Sequence, residues 1–167
     1  MTQQPILVLT TGGTIDKSYF DALSEYQIVE SGIPALLREA RVALPFRVVE
    51  LMRKDSLDLT DADRELIAAA AREAPESRIV VTHGTDTMTD TAKVLAAAVP
   101  GKTVVLTGAL SPARFAETDA PFNLGMAFAC AQVAAPGVYI AMSGEVFDGL
   151  KVRKDRAAGK FVSDDLR

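Results

Sequence analysis

Residues 78–107 read RIVVTHGTDTMTDTAKVLAAAVPGKTVVLT, and this stretch decides the fold. It opens on an apolar run, Arg78–Thr82, that is continuous rather than alternating, as expected for a strand covered on both faces. A polar cluster follows, Thr82-His83-Gly84-Thr85-Asp86-Thr87-Met88, and then a helical pattern over Met88–Ala98. Pro100-Gly101 ends that helix where the next apolar run, Thr103–Thr107, begins. Strand, helix and strand in this order imply a crossover connection and parallel pairing.

The same reading extends in both directions. Ile6–Leu9, Phe46–Leu51 and Val138–Met142 are further strands, and Pro34–Ala40, Asp61–Ala74 and Phe122–Ala134 are helical patterns. Thr60 is a good N-cap, with Asp61 and Asp63 in the first turn behind it. The expectation is an α/β fold: an open, doubly wound, mostly parallel sheet with helices on both faces. Gly144–Lys154 reads as a C-terminal β-hairpin turning on Asp148-Gly149, and residues 156–167 read as a polar tail. The length fits one domain, and neither an internal repeat nor a linker interrupts it.

Composition narrows the function. The chain is acidic, with a formal net charge of −4, and lacks a basic patch, which argues against nucleic acid as a partner. The most basic stretch, Lys151–Lys160, also holds Asp155 and reads as a solvated segment. No apolar run spans a membrane, and the N-terminus shows no secretory signal, so a cytoplasmic protein is expected. Cys130 is the single cysteine, which excludes an internal disulfide; it lies in an apolar run and reads as core. With one histidine, His83, a Cys₂His₂ zinc site is excluded.

Chemistry concentrates in two clusters, each directly after a strand. One is Thr10-Thr11-Gly12-Gly13-Thr14-Ile15-Asp16, and the other is Thr82–Met88. Both belong at the carboxyl ends of the strands, where open α/β sheets bind ligands. Glycines there admit a ligand to the backbone, and hydroxyls can attack it or donate to it. The second cluster also opens a helix, whose free N–H groups suit a carboxylate or an oxyanion. A tight turn at Gly12-Gly13 and a helix cap at Thr85-Asp86 are the plainer alternatives. Neither a dinucleotide loop nor a phosphate loop is complete. A threonine nucleophile needs a neighbour to take its proton. His83 reads as a strand-end core residue, which leaves a tyrosine or a lysine; Lys93 and Lys154 are both candidates on spacing.

At these clusters the sequence resembles the bacterial L-asparaginase/glutaminase family. Thr11-Gly-Gly-Thr-Ile-Asp16 and Val81-Thr-His-Gly-Thr-Asp-Thr-Met88 are similar to the family's two signatures. Tyr26-Gln-Ile-Val with Gly32 resembles its mobile loop, and Asp55-Ser56-Leu-Asp-Leu59 resembles its substrate-carboxylate segment. Thr107–Leu110, Asp119–Leu124 and Asp148-Gly149 with Lys154 extend the likeness over nearly the whole chain. The resemblance implies hydrolysis of L-asparagine through an acyl-enzyme on Thr14. Tyr26 would polarise or accept the Thr14 proton. Lys154 would act as base for Thr85, and Asp86 would also hold the α-amino group. Asp55 and Ser56 would take the α-carboxylate end, and Gly13 and Ala109 would line the site. No metal or organic cofactor is implied.

The sequence also departs from the pattern. Residues 1–167 correspond to the family's N-terminal catalytic domain, so its second, smaller domain is expected to be absent, together with the glutamate that domain lends to a partner's site. Asp16 stands where alanine is usual; it either restores that negative charge or pairs with Lys17 or Lys154. An uncovered surface leads to the expectation of a homodimer or higher oligomer. Two competing readings are a catalytically silent domain that binds an amino acid or a partner, and an amidase for another small amide such as glutamine.

Overall fold

Ile79, Val80 and Val81 are fully buried, and successive strand side chains point to opposite faces, so both faces of the sheet must be covered. The computed structural model, which describes residues 4–164, shows how. The chain runs β1 (Ile6–Gly12), β2 (Lys17–Phe20), β3 (Glu25–Ile28), α1 (Ile33–Glu39), β4 (Phe46–Lys54) and α2 (Asp61–Glu73). It continues through β5 (Arg78–Thr82), α3 (Met88–Ala98), β6 (Thr103–Thr107), α4 (Ala120–Val133) and β7 (Gly137–Met142). It closes with β8 (Glu145–Asp148), β9 (Val152–Asp155) and β10 (Lys160–Ser163).

The main sheet has the order β4-β1-β5-β6-β7-β8, parallel except for the edge strand β8. One face carries Leu7, Leu9, Val81 and Leu106 against Ile67, Ala71, Ala92 and Leu95 of α2 and α3. The other carries Ile6, Val8, Val80 and Val105 against Ile33, Leu37, Leu124 and Phe128 of α1 and α4. Each of the larger of these side chains contributes about 1.5–3 kcal/mol on burial. The doubly wound expectation therefore holds. Cys130 packs in the second of these cores.

The winding positions the site. From β1 the chain moves to β4 on one side, then returns to β5 on the other, so the direction of winding reverses between β1 and β5. Ligands bind at such a reversal, beyond the carboxyl ends of the strands. Thr10, Thr82 and Thr107 are register partners, so β5 and β6 end level with one another and β1 runs two residues further, to Gly12.

Local chemistry sets the element ends. Thr60 caps α2 as expected, and the cap is reciprocal: Asp63 N–H donates to the Thr60 hydroxyl, and Thr60 N–H donates to the Asp63 carboxylate. Lys54 Nζ sits 2.8 Å from the same carboxylate. The Lys54 bond, followed by the Thr60 bonds, holds the Asp63 carboxyl down at about 2. Pro121 in the first turn lets α4 begin two residues before the apolar pattern does.

The C-terminal hairpin is present, but its strands differ from those read in the sequence. β8 pairs back on β7 through a tight turn at Ser143-Gly144, both with positive φ, the two-residue geometry that suits a twisted hairpin. Asp148-Gly149 does form a turn, yet the strands that flank it do not pair with each other: β9 pairs with β10. Val152 and Phe161 draw this second hairpin onto the α3 side of the core, so much of the expected polar tail is structured; residues 165–167 lie outside the described residues. The segment 17–28, of which only Tyr26–Ile28 was read, as part of a mobile loop, folds as a two-stranded ribbon of β2 and β3. Its apolar residues face solvent, so no core periodicity marked it.

Phe161 tests this correction. Phe161→Ala should lower the unfolding free energy by about 3–5 kcal/mol in a denaturant titration, as for a core aromatic, whereas a solvated tail would change by less than about 0.5 kcal/mol.

Candidate active site

Three loops meet backbone to backbone beyond the strand ends. Gly13, with φ of 82°, donates its N–H to the Lys54 carbonyl at 2.9 Å, and a Cβ on it would overlap the Gly84 amide. Gly84 is packed just as closely on Ser56. The exits of β1, β5 and β4 are thus joined where only glycine fits. Two hydroxyls tie them further: Thr87 Oγ donates to the Ser56 carbonyl at 2.7 Å, and Thr11 Oγ donates to the Thr82 carbonyl at 2.8 Å. Thr14, Ser56 and Thr85 consequently sit on adjoining, fixed loops. Thr14 begins a short turn over Thr14–Asp16, and among the described residues its hydroxyl has no hydrogen-bond partner.

β9 brings Lys154 back to the same edge. Its Nζ lies 2.7 Å from Thr85 Oγ and 2.7 Å from Asp86 Oδ1, with the lysine side chain only 15% exposed. A hydroxyl, an amine and a carboxylate therefore form one hydrogen-bonded set. Beside them α3 begins without a side-chain cap, because the hydroxyl of its N-cap residue, Thr87, is committed to Ser56. The N–H groups of Thr85 and Asp86 have no partner among the described residues. This open N-terminus suits an anion or a developing oxyanion.

The remaining expected residues are placed differently. Asp55 pairs with Lys17 at 2.9 Å and accepts the Leu57 N–H. Burial pushes its carboxyl up, but Lys17 and the N–H groups of Leu57 and Ser56 outweigh that and leave it below the usual range. Ser56 is buried. Asp16 pairs with neither Lys17 nor Lys154: its buried carboxylate accepts from Ser31 Oγ at 3.0 Å and Gly32 N–H at 3.1 Å. Burial raises its pKa against those two bonds, which tie the start of β2 to the chain just after β3. Tyr26 lies on that ribbon, about half exposed, its ring tilted against Tyr19 at 5.2 Å and 6.1 Å from Phe115. The structure does not bring its hydroxyl into a hydrogen bond with Thr14.

His83 is the core residue the sequence suggested. Its Nδ1 lies 2.6 Å from the Gly84 carbonyl, which can only accept, so Nδ1 carries the hydrogen and Nε2 accepts from Thr91 Oγ at 2.8 Å. Full burial, with the nearby Arg64 charge adding to it, pushes the imidazole down to about 4, although the Gly84 bond opposes this. At neutral pH it is an uncharged brace for the β5 exit. A separate concavity of about 650 Å³ between β8 and β10, lined by Phe147 and Phe161, lies apart from these residues.

The family model described as "Asparaginase, N-terminal" matches residues 5–161. The chain belongs to the asparaginase family. It is 34% identical over 163 residues to an L-asparaginase of Thermococcus kodakarensis, covering 92% of this chain and 48% of that protein. The solved structure of the thermostable L-asparaginase from that organism superposes with a TM-score of 0.84 at 30% identity, over 95% of this chain and 51% of that one. A glutaminase-asparaginase of Acinetobacter glutaminasificans is 27% identical over 164 residues, covering 89% of this chain and 49% of its own length. The chain thus spans about half the length of these asparaginase-family relatives.

Within this asparaginase-type domain, sequence reasoning overlooked two contacts. Lys17 as the partner of Asp55 had no signal, because the two lie on separate segments 38 positions apart in the chain. The Thr87 tie to Ser56 likewise joins residues far apart in sequence. The expected neighbours Thr85, Asp86 and Lys154 do meet.

The His83 assignment carries a pH signature. A base whose folded pKa is depressed leaves the unfolded chain to take up the proton first, so stability is full above about 6.5 and is lost as pH falls towards about 4. His83 alone should remove about 2 kcal/mol between pH 7 and pH 4.5, at about 1.4 kcal/mol per unit. Denaturant titrations across that range should show this slope, and His83→Gln should flatten it.

Proposed function

We propose that the chain hydrolyses L-asparagine to L-aspartate and ammonia, with Thr14 as the nucleophile. The observation that carries this reading is Lys154 Nζ at 2.7 Å from both Thr85 Oγ and Asp86 Oδ1, on the strand edge that also holds Thr14. Thr14 Oγ attacks the side-chain amide carbon, and its proton leaves towards a basic neighbour. The open N–H groups before α3 stabilise the oxyanion. The amide nitrogen takes up a proton and departs as ammonia, leaving an ester on Thr14. Water, deprotonated through Thr85 and Lys154, then attacks the ester and releases aspartate. The sequence requires an activated hydroxyl, an amine and aimed N–H groups, with no cofactor.

Binding follows the charges. Asp86 suits the α-amino group. Ser56 suits the α-carboxylate, with Lys17 close by; the Asp55 carboxylate is committed to Lys17, and as a like charge it would repel the substrate carboxylate. Tyr26 takes its part by closure of the β2–β3 ribbon, which is anchored at its base by Lys17 on Asp55 and by Asp16 on Ser31 and Gly32. Glutamine is the second reading, favoured by the name of the Acinetobacter relative. One methylene separates the two substrates, on the order of 1–3 kcal/mol.

Self-association belongs to the same proposal. Helix α4 has no charged residue and exposes Phe122 and Val133, which supports a homodimer or higher oligomer. A cytoplasmic setting is proposed with it. Among the described residues, no helix is long and apolar enough to cross a membrane.

Ammonia release from L-asparagine and L-glutamine tests the reading. Thr14→Ala and Lys154→Met should each reduce it by about 10³-fold or more while the protein stays folded. An unchanged rate in Thr14→Ala would remove Thr14 as nucleophile, and a folded wild type silent on both amides would favour a binding domain.

A further inference from the structure

An amino-acid amide brings a carboxylate to a strand edge that is already rich in acid. Asp86 pairs with Lys154, and Asp55 stands beside Ser56. Asp119 holds the loop of the buried Ala109 by accepting the Leu110 and Ser111 N–H groups. A carboxylate entering among these is repelled unless a cation meets it, and the repulsion grows as water is excluded.

Two lysines at this edge are committed elsewhere. Lys54 Nζ sits 2.8 Å from both oxygens of Asp63. Lys154 Nζ is shared between Thr85 Oγ and Asp86 Oδ1. Lys17 differs. An ammonium has three donors, and among the described residues the partner of this one is a single oxygen, Asp55 Oδ2 at 2.9 Å. The other N–H groups of Lys17 remain free for an anion.

The chain holds this ammonium between the loops that the substrate must join. The turn Thr14–Asp16 closes with the Lys17 N–H on the Thr14 carbonyl, so Lys17 follows the proposed nucleophile by one turn. Asp55 is fixed in its own turn, where its Oδ1 accepts the Leu57 N–H at 3.2 Å. The next residue, Ser56, is buried, and a Cβ on Gly84 would overlap its Oγ. Gly84 in turn precedes Thr85. A bare Asp55 carboxylate next to Ser56 would repel the substrate carboxylate. Paired with Lys17 its charge is cancelled, and N–H donors are added at the same place.

We propose that Lys17 is a substrate-binding residue that receives the α-carboxylate beside Ser56, and that Asp55 is the positioning residue that holds its ammonium there. This rests on the amino-acid amide reading above and deepens it. Lys17 then sets the substrate class: side-chain amides of α-amino acids whose α-carboxylate is free.

The experiment measures kcat and KM for L-asparagine in the wild type, Lys17→Met, Lys17→Arg, Asp55→Asn and the double variant Lys17→Met/Asp55→Asn, with Thr14→Ala as the blank. Both side chains are partly exposed, and Asp55→Asn keeps an oxygen for the Leu57 N–H, so the variants should fold. Lys17→Met is expected to raise KM by 10- to 100-fold and to change kcat by less than threefold, and Lys17→Arg to stay within fivefold of the wild type in both. The double variant should bind at least threefold better than Lys17→Met, because the bare carboxylate has gone. A double variant no better than Lys17→Met would mean that the pair only ties two loops together, and would overturn the proposal. An unchanged KM in Lys17→Met, or a loss confined to kcat, would also overturn it. A folded wild type that releases no ammonia would overturn the hydrolase reading alone. Calorimetric titration with L-aspartate then decides for Lys17: binding at least tenfold weaker in Lys17→Met supports the assignment, and equal or absent binding in both proteins overturns it.

Discussion

The close contact between Gly13 and Gly84 is the constraint on which the rest of the site depends. It joins the exits of β1 and β5, the two strands between which the winding reverses. Ser56 is seated against Gly84 from the β4 side, and the β6 exit is held flush by Gly108. Any side chain at these crossings would push the loops apart, and the hydroxyls of Thr14 and Thr85 would separate with them. Precision at the site thus comes from backbone packing over adjacent strand ends rather than from long flexible side chains.

Onto this frame the chain places two ion pairs, Lys17 with Asp55 and Lys154 with Asp86. They do different things. The first lies at the root of the β2–β3 ribbon, so it ties that ribbon to the segment proposed for the substrate carboxylate. The second keeps an amine against the Thr85 hydroxyl, and it is the better shielded of the two lysines. Stability is not their main yield, since the attraction in a partly buried pair is largely offset by desolvation and by the side-chain entropy lost. Their effect is to place charge. A zwitterionic substrate can then be held by a chain whose net charge is −4, because both signs are supplied locally.

Function also overrides local convention at two helix starts. Thr87 leaves α3 uncapped in order to hold Ser56, and Asp119 leaves α4 to Thr118 in order to hold the β6 loop. In both cases a residue suited to its own helix serves a neighbouring loop. Local rules fail most often at functional sites, and the two failures here flank the proposed site.

The five parallel strands and four helices were legible in the sequence, since burial on both faces forces continuous apolar runs and a 3.6-residue period marks the helices. The clusters Thr10–Asp16 and Thr82–Met88 were legible for a related reason: they follow strands directly, so their place at the sheet edge comes with the winding. The β2–β3 ribbon was not legible, because it buries too little to leave a pattern. Nor was the pairing of β9 with β10, which a single buried aromatic, Phe161, helps to settle through the core it reaches. The sequence by itself determined the sheet, its edge chemistry and the residue types available there. Only the tertiary structure decided the partners, choosing Lys154 over Lys93, Lys17 for Asp55 and Asn123 for Gly108. Periodicity is a local property of the chain, whereas these contacts join residues 15 to 69 positions apart through packing that no short stretch encodes.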